Sequence, residues 1–149
     1  EGPMGPLSMT ELIGGLMTGV VTVVPAIVWQ TAAFRVETRS AETIQTLYDL
    51  GWLFFDLTWM FSFLQSVALG IAILMDRRDR PLFPRWVGYI CFLTAAVYVP
   101  LVFIPFARTG PFAWHGALNF WAVFVMFFVL IAEVTPCAFR ALRRVESET

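Results

Sequence analysis

The chain has 149 residues, of which 58% are hydrophobic, 16% aromatic and only 14% charged. Soluble domains average about 25% charged residues and about 45–50% apolar ones, so this chain has too few polar groups to cover a soluble surface. A formal net charge of −1 gives no electrostatic basis for binding nucleic acid. The composition therefore excludes soluble enzymes, nucleic-acid binders and disordered linkers, and indicates a polytopic α-helical membrane protein.

Four apolar runs follow one another along the chain, each bounded by charged residues, proline or glycine. They predict transmembrane helices at about 12–34, 40–75, 86–106 and 111–143. Each run is long enough to cross a hydrocarbon core of ~30 Å, since a helix rises about 1.5 Å per residue. We expect an all-α fold in which residues 1–149 form one transmembrane domain, a four-helix bundle of up-down topology.

The second helix is predicted to be the longest of the four. Ser40 is a suitable N-cap, and the residues at 41–49 include good helix formers with acidic residues in the early turns. Only Gly51 and Gly70 disfavour a helix in this stretch, and glycine is tolerated in membrane helices. We therefore expect one continuous helix over 40–75, roughly 54 Å long.

The arginines at the ends of the four runs predict the orientation of the bundle. Three lie on one side, and seven lie on the other: Arg77, Arg78, Arg80, Arg85, Arg140, Arg143 and Arg144. Because arginine and lysine are enriched in cytoplasmic loops, both ends of this chain and the 76–85 loop are expected in the cytoplasm. The chain would then be a multi-pass protein of the inner or plasma membrane.

Polar side chains on several of the predicted helices fall at a similar depth. If Leu50 and Phe112 enter from the outside, the carboxyl group of Asp56 lies about 9–10 Å into the outer leaflet. A buried carboxylate costs at least ~2.5 kcal/mol on insertion scales, so it should face a partner or water. We expect Asp56 to accept a hydrogen bond within a cluster that also contains Trp59, Tyr98, His115 and Asn119. Such a cluster would either lock the bundle together or line a pocket for a ligand.

Small residues predict where helices approach one another closely. Gly15 and Gly19 form a small-xxx-small pair on the first helix, and Gly88 belongs to a stripe that continues through Cys91, Ala95 and Tyr98 on the third helix. Small residues allow helix backbones to pack tightly in lipid. All three glycines are therefore predicted to lie at helix–helix contacts.

The sequence contains no recognised catalytic or metal-binding motif. His115 is the only histidine, and one histidine cannot supply a two-histidine haem site or a three-histidine zinc site. We therefore predict no catalytic residue, no metal site and no required cofactor, while the aromatic content leaves room for a bound lipid or quinone.

Three segments resemble an uncharacterised family of multi-spanning membrane proteins that is common in mycobacteria and related actinobacteria. They are DLGWLFFDLTW at 49–59, FPRWVGY at 83–89 and TGPFAW at 109–114, and the resemblance covers about three quarters of the chain. It implies that further helices precede Glu1 and pack against Gly15 and Gly19, and that asparagine is more usual at position 115. It implies no activity.

Three functions fit these observations. The first is a non-enzymatic membrane protein, either an accessory subunit of a larger complex or a binder of an apolar ligand such as a lipid or quinone. The second is a small transporter or channel-like oligomer whose path passes Asp56. The third is a component of a membrane oxidoreductase. In each case the expected partners are membrane lipids and other transmembrane helices or subunits.

Overall fold

The fold is a bundle of four apolar helical spans. The structure is a computed structural model that describes residues 5–148 of the chain, and within this range it contains no β-strand. The spans Pro6–Ala33, Ala41–Met75, Arg85–Phe106 and Ala117–Ser147 are each long and apolar enough to cross a membrane. They confirm the predicted all-α, four-helix membrane fold. The prediction that further helices precede Glu1 lies outside the described residues.

The first span is a single helix, α1, over Pro6–Ala33. Proline suits the first turn of a helix because its missing N–H group would have no partner there. The helix begins six residues before the predicted start at residue 12 and so includes the charged residue Glu11. The Glu11 carboxylate lies 3.5 Å from Nε2 of Gln65 on the second span. It ends before Arg35, which adopts the left-handed conformation at φ 64°. A short 3₁₀ turn over Val36–Thr38 then leads into the next span.

The second span is two helices, α2 over Ala41–Leu57 and α3 over Met60–Met75. The prediction of one continuous helix over 40–75 is therefore wrong at Thr58 and Trp59. The Thr58 hydroxyl donates to the carbonyl oxygens of Phe54 at 2.8 Å and of Phe55 at 3.1 Å. Such bonds compete with the helical backbone pattern and commonly bend a helix. The N-cap prediction is confirmed, since the Ser40 hydroxyl accepts the backbone N–H of Thr43 at 3.2 Å.

The third and fourth spans also depart from the predicted uniform helices. Helix α4 covers Arg85–Tyr98, and the span continues as a 3₁₀ helix over Val99–Phe106, a segment that contains Pro100 and Pro105. The last span begins at Ala117 rather than at 111, with a π-helical segment over Ala117–Ala122 followed by α5 over Val123–Glu148. Residues 111–116 form turns instead of the first helical turns.

The helices pack in a row rather than in a closed ring. Helix α3 lies between α1 and α4, and α5 packs against α4, while α2 contacts α1 and the 3₁₀ segment that follows α4. Helices α1 and α5 therefore occupy opposite edges of the bundle and make at most marginal contact with each other. One apolar core lies near the 76–84 loop, around Ile73, Val87, Cys91 and Cys137. A second core surrounds Tyr98, Leu101, Ile104 and Val123.

Several glycines lie at close contacts between helices, although only some of these are the glycines predicted from the sequence. Gly88 lies against α3, where a Cβ atom on it would be 3.3 Å from the carbonyl oxygen of Gly70. On α1 the most crowded glycine is Gly14, since a Cβ atom there would lie 2.9 Å from Cβ of Gln65. Gly15 faces the amide end of the same glutamine, whereas a Cβ atom on Gly19 would meet no atom of another helix within 4 Å, so Gly19 does not lie at a helix–helix contact.

Candidate functional site

The gap between α1 and α5 forms a cleft with a volume of about 600 Å³. Its walls come from α1, the α2–α3 junction, the end of α4 and the start of the last span, and they are mostly apolar and aromatic. The lining residues are Thr18, Val21, Thr22, Ala26, Trp29, Trp52, Phe55, Asp56, Thr58, Trp59, Ser62, Tyr98, Leu101, Phe120, Val123, Phe124, Phe127 and Phe128. Its rim includes Thr22 on α1 and Phe128 on α5, which are both exposed. The cleft therefore opens sideways, toward the surface that faces lipid.

Three of the four spans leave the α-helical pattern where they border this cleft. The break at Thr58 and Trp59, the start of the 3₁₀ segment after Tyr98, and the π-helical segment that contains Phe120 all contribute lining residues. At membrane depth, irregular backbone is tolerated where it is buried in protein or lines a cavity, and π-helical turns are frequent at functional sites. The irregular segments thus mark the cleft as the best candidate for a functional site.

Asp56 is the only ionisable carboxyl group among the residues that line the cleft. Its side chain is buried, with 3% of the residue exposed, and Oδ2 has no hydrogen-bond partner among the described residues. At the helix break, the backbone N–H of Trp59 donates to the Asp56 carbonyl at 3.3 Å, a three-residue turn in place of the usual four-residue one. Asp56 and Trp59, at the two ends of this tightened turn, both line the cleft.

Aromatic rings close the end of the cleft that lies toward the 34–40 and 107–116 loops. The ring centroids of Trp29 and Trp52 are 4.7 Å apart, and Phe120 lies 5.6 Å from Trp52. Trp114, which is outside the cleft, stacks on Trp52 at 4.8 Å with an interplanar angle of 15°. Trp29 can approach α2 because Gly51 has no side chain, and its indole N–H donates to the carbonyl oxygen of Tyr48.

The indole of Trp52 adds a second unsatisfied polar atom to the walls of the cleft. Its Nε1 atom is buried and has no hydrogen-bond partner among residues 5–148. Two of the residues that line the cleft, Asp56 and Trp52, therefore each carry one buried polar atom without a partner, beside hydroxyl groups such as those of Thr18 and Ser62 and a larger number of apolar side chains. Buried polar groups are normally hydrogen-bonded, so each unpaired group needs an explanation.

A line of polar side chains joins α1 to α3 at the opposite end of the cleft. The Thr18 hydroxyl lies 3.0 Å from the Ser62 hydroxyl and donates to Oε1 of Gln65 at 3.3 Å. Gln65 in turn reaches Glu11. Ser62 and Gln65 were not predicted as site residues from the sequence, because they become neighbours of α1 only in the folded bundle.

The structure brings together three of the five residues predicted to form a polar cluster. Asp56, Trp59 and Tyr98 all line the cleft, and Tyr98 is 3% exposed. The expected hydrogen bond to the Asp56 carboxylate is not formed by any of the proposed donors. Trp59 instead packs edge-on against Phe63, with ring centroids 5.6 Å apart.

The other two predicted residues lie outside the cleft. His115 is exposed in the 107–116 loop and its ring lies 5.0 Å from that of Trp114. Asn119 is fully buried and donates from Nδ2 to the carbonyl oxygen of Phe112, which ties the loop to the start of the last span. Its Oδ1 atom has no partner among the described residues.

Most of the aromatic wall was not singled out from the sequence, although a signal for it was present. On α1 the lining residues Thr18, Thr22, Ala26 and Trp29 recur every three or four positions, and so do Phe120, Phe124 and Phe127 on the last span. This spacing places side chains on one face of a helix. In a membrane helix, however, a stripe of this kind has the same composition as one that faces lipid, so the sequence does not show which face lines a cavity.

The fold and the cleft define a multi-pass membrane protein with a cavity large enough for a ligand. In the described part of the chain, no three histidine, cysteine or acidic residues come together in a way that suits a metal ion. Comparisons of the chain with protein-family models, with curated proteins and with solved structures give no significant match. The resemblance to an actinobacterial family therefore stays a prediction from the sequence.

Proposed function

We propose that this protein binds an apolar ligand, a lipid or a quinone, in the lateral cleft between α1 and α5. The observation that carries the proposal is the combination of a cavity of about 600 Å³ with an unpaired, buried carboxylate oxygen on Asp56. Ligand sites are typically cavities of about 300–1,000 Å³, mainly apolar, with a few polar groups that fix orientation. The cleft meets each of these criteria.

The shape of the cleft suits a ligand that enters from the bilayer. Its opening lies between two helices that do not pack against each other, so a ligand can enter sideways without crossing the aqueous loops. Aromatic side chains such as Phe55 and Phe124, whose rings are stacked at 5.8 Å, offer flat surfaces for a ring or a polyprenyl chain. The polar part of the ligand would then lie at the inner wall, beside Asp56.

The polar atoms of the cleft indicate what such a ligand should carry. Leaving a buried polar group unpaired costs about 1–3 kcal/mol, and a ligand that supplies the missing partner recovers this free energy. The Asp56 carboxylate accepts a hydrogen bond from a hydroxyl group, and the Trp52 indole donates one to a carbonyl or ether oxygen. A ring or headgroup that combines a hydroxyl with an oxygen acceptor satisfies both residues.

Purification of the full chain in mild detergent, followed by mass spectrometry of extracted lipids and quinones, tests the proposal. Ala26 lines the cleft and Ile27 beside it is 56% exposed, on the lipid-facing surface. Ala26→Phe should fill the cavity and remove the bound compound, whereas Ile27→Phe adds the same ring outside it and should retain the compound. Retention of the same compound by both variants, or its absence from the wild-type protein, would overturn the proposal.

A small transporter is the second candidate function, favoured by the polar line of Glu11, Gln65, Thr18 and Ser62 that runs from the cleft toward the 76–84 end of the bundle. Reconstitution into liposomes with an internal pH dye distinguishes it from a ligand binder. Proton flux that is lost in Gln65→Leu supports transport, while the absence of flux in protein that carries its ligand supports binding alone.

A role as an accessory subunit would be revealed by the purification in mild detergent, through a protein partner that co-purifies at a fixed ratio.

A further inference from the structure

The end of the bundle around the 76–84 loop carries a second set of cavities, unrelated to the cleft. One of about 200 Å³ lies between this loop and α5 and is lined by Arg85, Arg140 and Arg144. Another of about 410 Å³ is lined by Arg78, Arg80 and Arg144. Because Arg144 lines both, the two cavities are adjacent and together hold five arginines.

A third cavity gives this basic surface an apolar extension. It has a volume of about 570 Å³ and lies between the start of α1 and the end of α3, where apolar residues such as Leu69 and Ala72 line it. Leu82 lines all three cavities, so the apolar groove is continuous with the arginines. A charged depression that continues into an apolar groove has the form of a site for an amphiphile.

Hydrogen bonds hold in place the loop that carries two of these arginines, Arg78 and Arg80. The Asp76 carboxylate accepts the backbone N–H groups of Arg78 and Leu82, both at 3.1 Å. From α5, the Arg144 guanidinium donates to the carbonyl oxygen of Pro81 at 3.4 Å. Arg78 and Arg80 are thus presented by a loop held by hydrogen bonds, while Arg85 begins α4 and Arg140 and Arg144 lie on α5.

Four of the five arginines form no salt bridge with an acidic residue that the structure describes. Among the described residues the only salt bridge is that of Arg78 with Asp76, at 3.6 Å. Arg80, Arg85, Arg140 and Arg144 therefore have no acidic partner in that part of the chain. Guanidinium groups bind phosphate through paired N–H donors, and basic pockets at the ends of membrane helices bind anionic lipid headgroups.

We propose that this surface binds an anionic phospholipid, with its phosphate among the arginines and an acyl chain in the groove between α1 and α3. Two adjacent arginine-lined cavities match a headgroup with two phosphates better than one with a single phosphate. A diphosphatidylglycerol lipid is therefore expected to bind more tightly than phosphatidylglycerol, and both more tightly than phosphatidylcholine. The proposal does not depend on occupation of the cleft.

Native mass spectrometry of the full chain in detergent, with added lipids, measures this selectivity. We expect at least tenfold tighter binding of diphosphatidylglycerol than of phosphatidylcholine, and at least a tenfold loss in Arg80→Gln. Arg80 makes no hydrogen bond to the loop, so its replacement leaves the loop intact. Arg144→Lys keeps the positive charge at the residue that lines both cavities, and so tests the role of charge at that position. Arg108→Gln, at the opposite end of the bundle, is the matched control and should bind the lipid as the wild-type protein does.

Three results would overturn the proposal. Equal binding of phosphatidylcholine would show that charge does not select the lipid, and unchanged binding in Arg80→Gln would place the lipid elsewhere. Displacement of the lipid by low concentrations of inorganic pyrophosphate would assign the arginines to a soluble phosphate compound.

Ala72→Trp, which blocks the apolar groove, should weaken lipid binding without creating pyrophosphate binding. Ala26→Phe in the cleft should leave this lipid in place, so the two proposed sites can fail independently.

Discussion

Gly70 of α3 and Gly88 of α4 face each other at the point where the two helices cross. A Cβ atom on Gly70 would lie 3.2 Å from the carbonyl oxygen of Gly88, and one on Gly88 would lie 3.3 Å from that of Gly70. The absence of both side chains lets the backbones touch, which is the main source of packing between helices in lipid. This crossing joins α3, which packs against α1, to α4, which packs against α5.

A larger side chain at this crossing should destabilise the bundle. Gly70→Leu is expected to reduce the free energy of unfolding by about 1–3 kcal/mol, the usual cost of overpacking a tight contact. Gly19→Leu makes the same change on α1 where no heavy atom lies within 4 Å, so its effect should be small. Thermal unfolding in detergent, followed by tryptophan fluorescence, compares the two. Equal losses in both variants would show that the crossing contributes no specific packing.

The Asp56 carboxylate should favour ligand binding at the expense of the stability of the empty bundle. Asp56→Leu removes an unpaired polar group from an apolar cavity, and we expect it to stabilise protein stripped of lipid by about 1–2 kcal/mol. The same variant should lose the cleft ligand. Asp79→Leu, in the exposed 76–84 loop, removes the same charge and should change neither property. A marked loss of stability in Asp56→Leu would indicate that Asp56 has a hydrogen-bond partner in the folded protein.

The sequence predicts the four spans well, because spanning a bilayer requires only length and apolar composition. It does not predict where the α-helical pattern is interrupted. The break after Asp56 coincides with the Thr58 hydroxyl bonding to the Phe54 carbonyl, but threonine makes the same bond inside a continuous helix, as Thr22 does with the Thr18 carbonyl on α1. The local sequence therefore does not distinguish a threonine at a helix break from a threonine inside a continuous helix.

Interruptions of the helical pattern that the sequence does not predict also explain why only some members of the polar cluster were placed correctly. Asp56 and Tyr98 lie on α-helical segments of the predicted spans, Asp56 two residues before the break at Thr58 and Tyr98 at the end of α4, and both line the cleft. His115 and Asn119 were placed by assuming a helix from residue 111, but the chain forms turns until Gly116. Those turns are stabilised by contacts such as the Leu118 N–H donating to the Pro111 carbonyl at 3.1 Å, which hydrophobic periodicity does not reveal.

The 76–84 loop should respond to acid through Asp76. Desolvation raises the pKa of this carboxyl group, but the backbone N–H groups of Leu82 and Arg78, together with the Arg78 charge, outweigh it and hold the pKa below its ordinary value of 3.8. Since the folded pKa is the lower one, Asp76 contributes stability that is complete above the unfolded value and is lost as pH falls through the folded value.

Comparison of wild-type protein with Asp76→Asn at a series of pH values tests this linkage. The wild-type protein should unfold at a higher temperature than the variant at neutral pH, and the difference should shrink below about pH 4. Asp79→Asn, which changes an exposed residue of the same loop, serves as the control. A difference between wild type and Asp76→Asn that is constant from neutral to acid pH would mean that the loop does not depend on the ionised carboxylate.

The orientation of the bundle can be tested by labelling one cysteine at each end. Seven arginines lie at the end that carries the 76–84 loop and three at the other, so the loop is expected in the cytoplasm and the 34–40 loop outside. Glu37→Cys and Asp79→Cys place thiols at exposed acidic positions at the two ends, which leaves the arginine difference unchanged. The native thiols, Cys91 and Cys137, are both buried and are replaced by alanine in the same background. A membrane-impermeant maleimide should label position 37 in intact cells and position 79 only after permeabilisation. The reverse pattern would show that the bundle is inserted the other way round, with the arginine-lined cavities facing the outer leaflet.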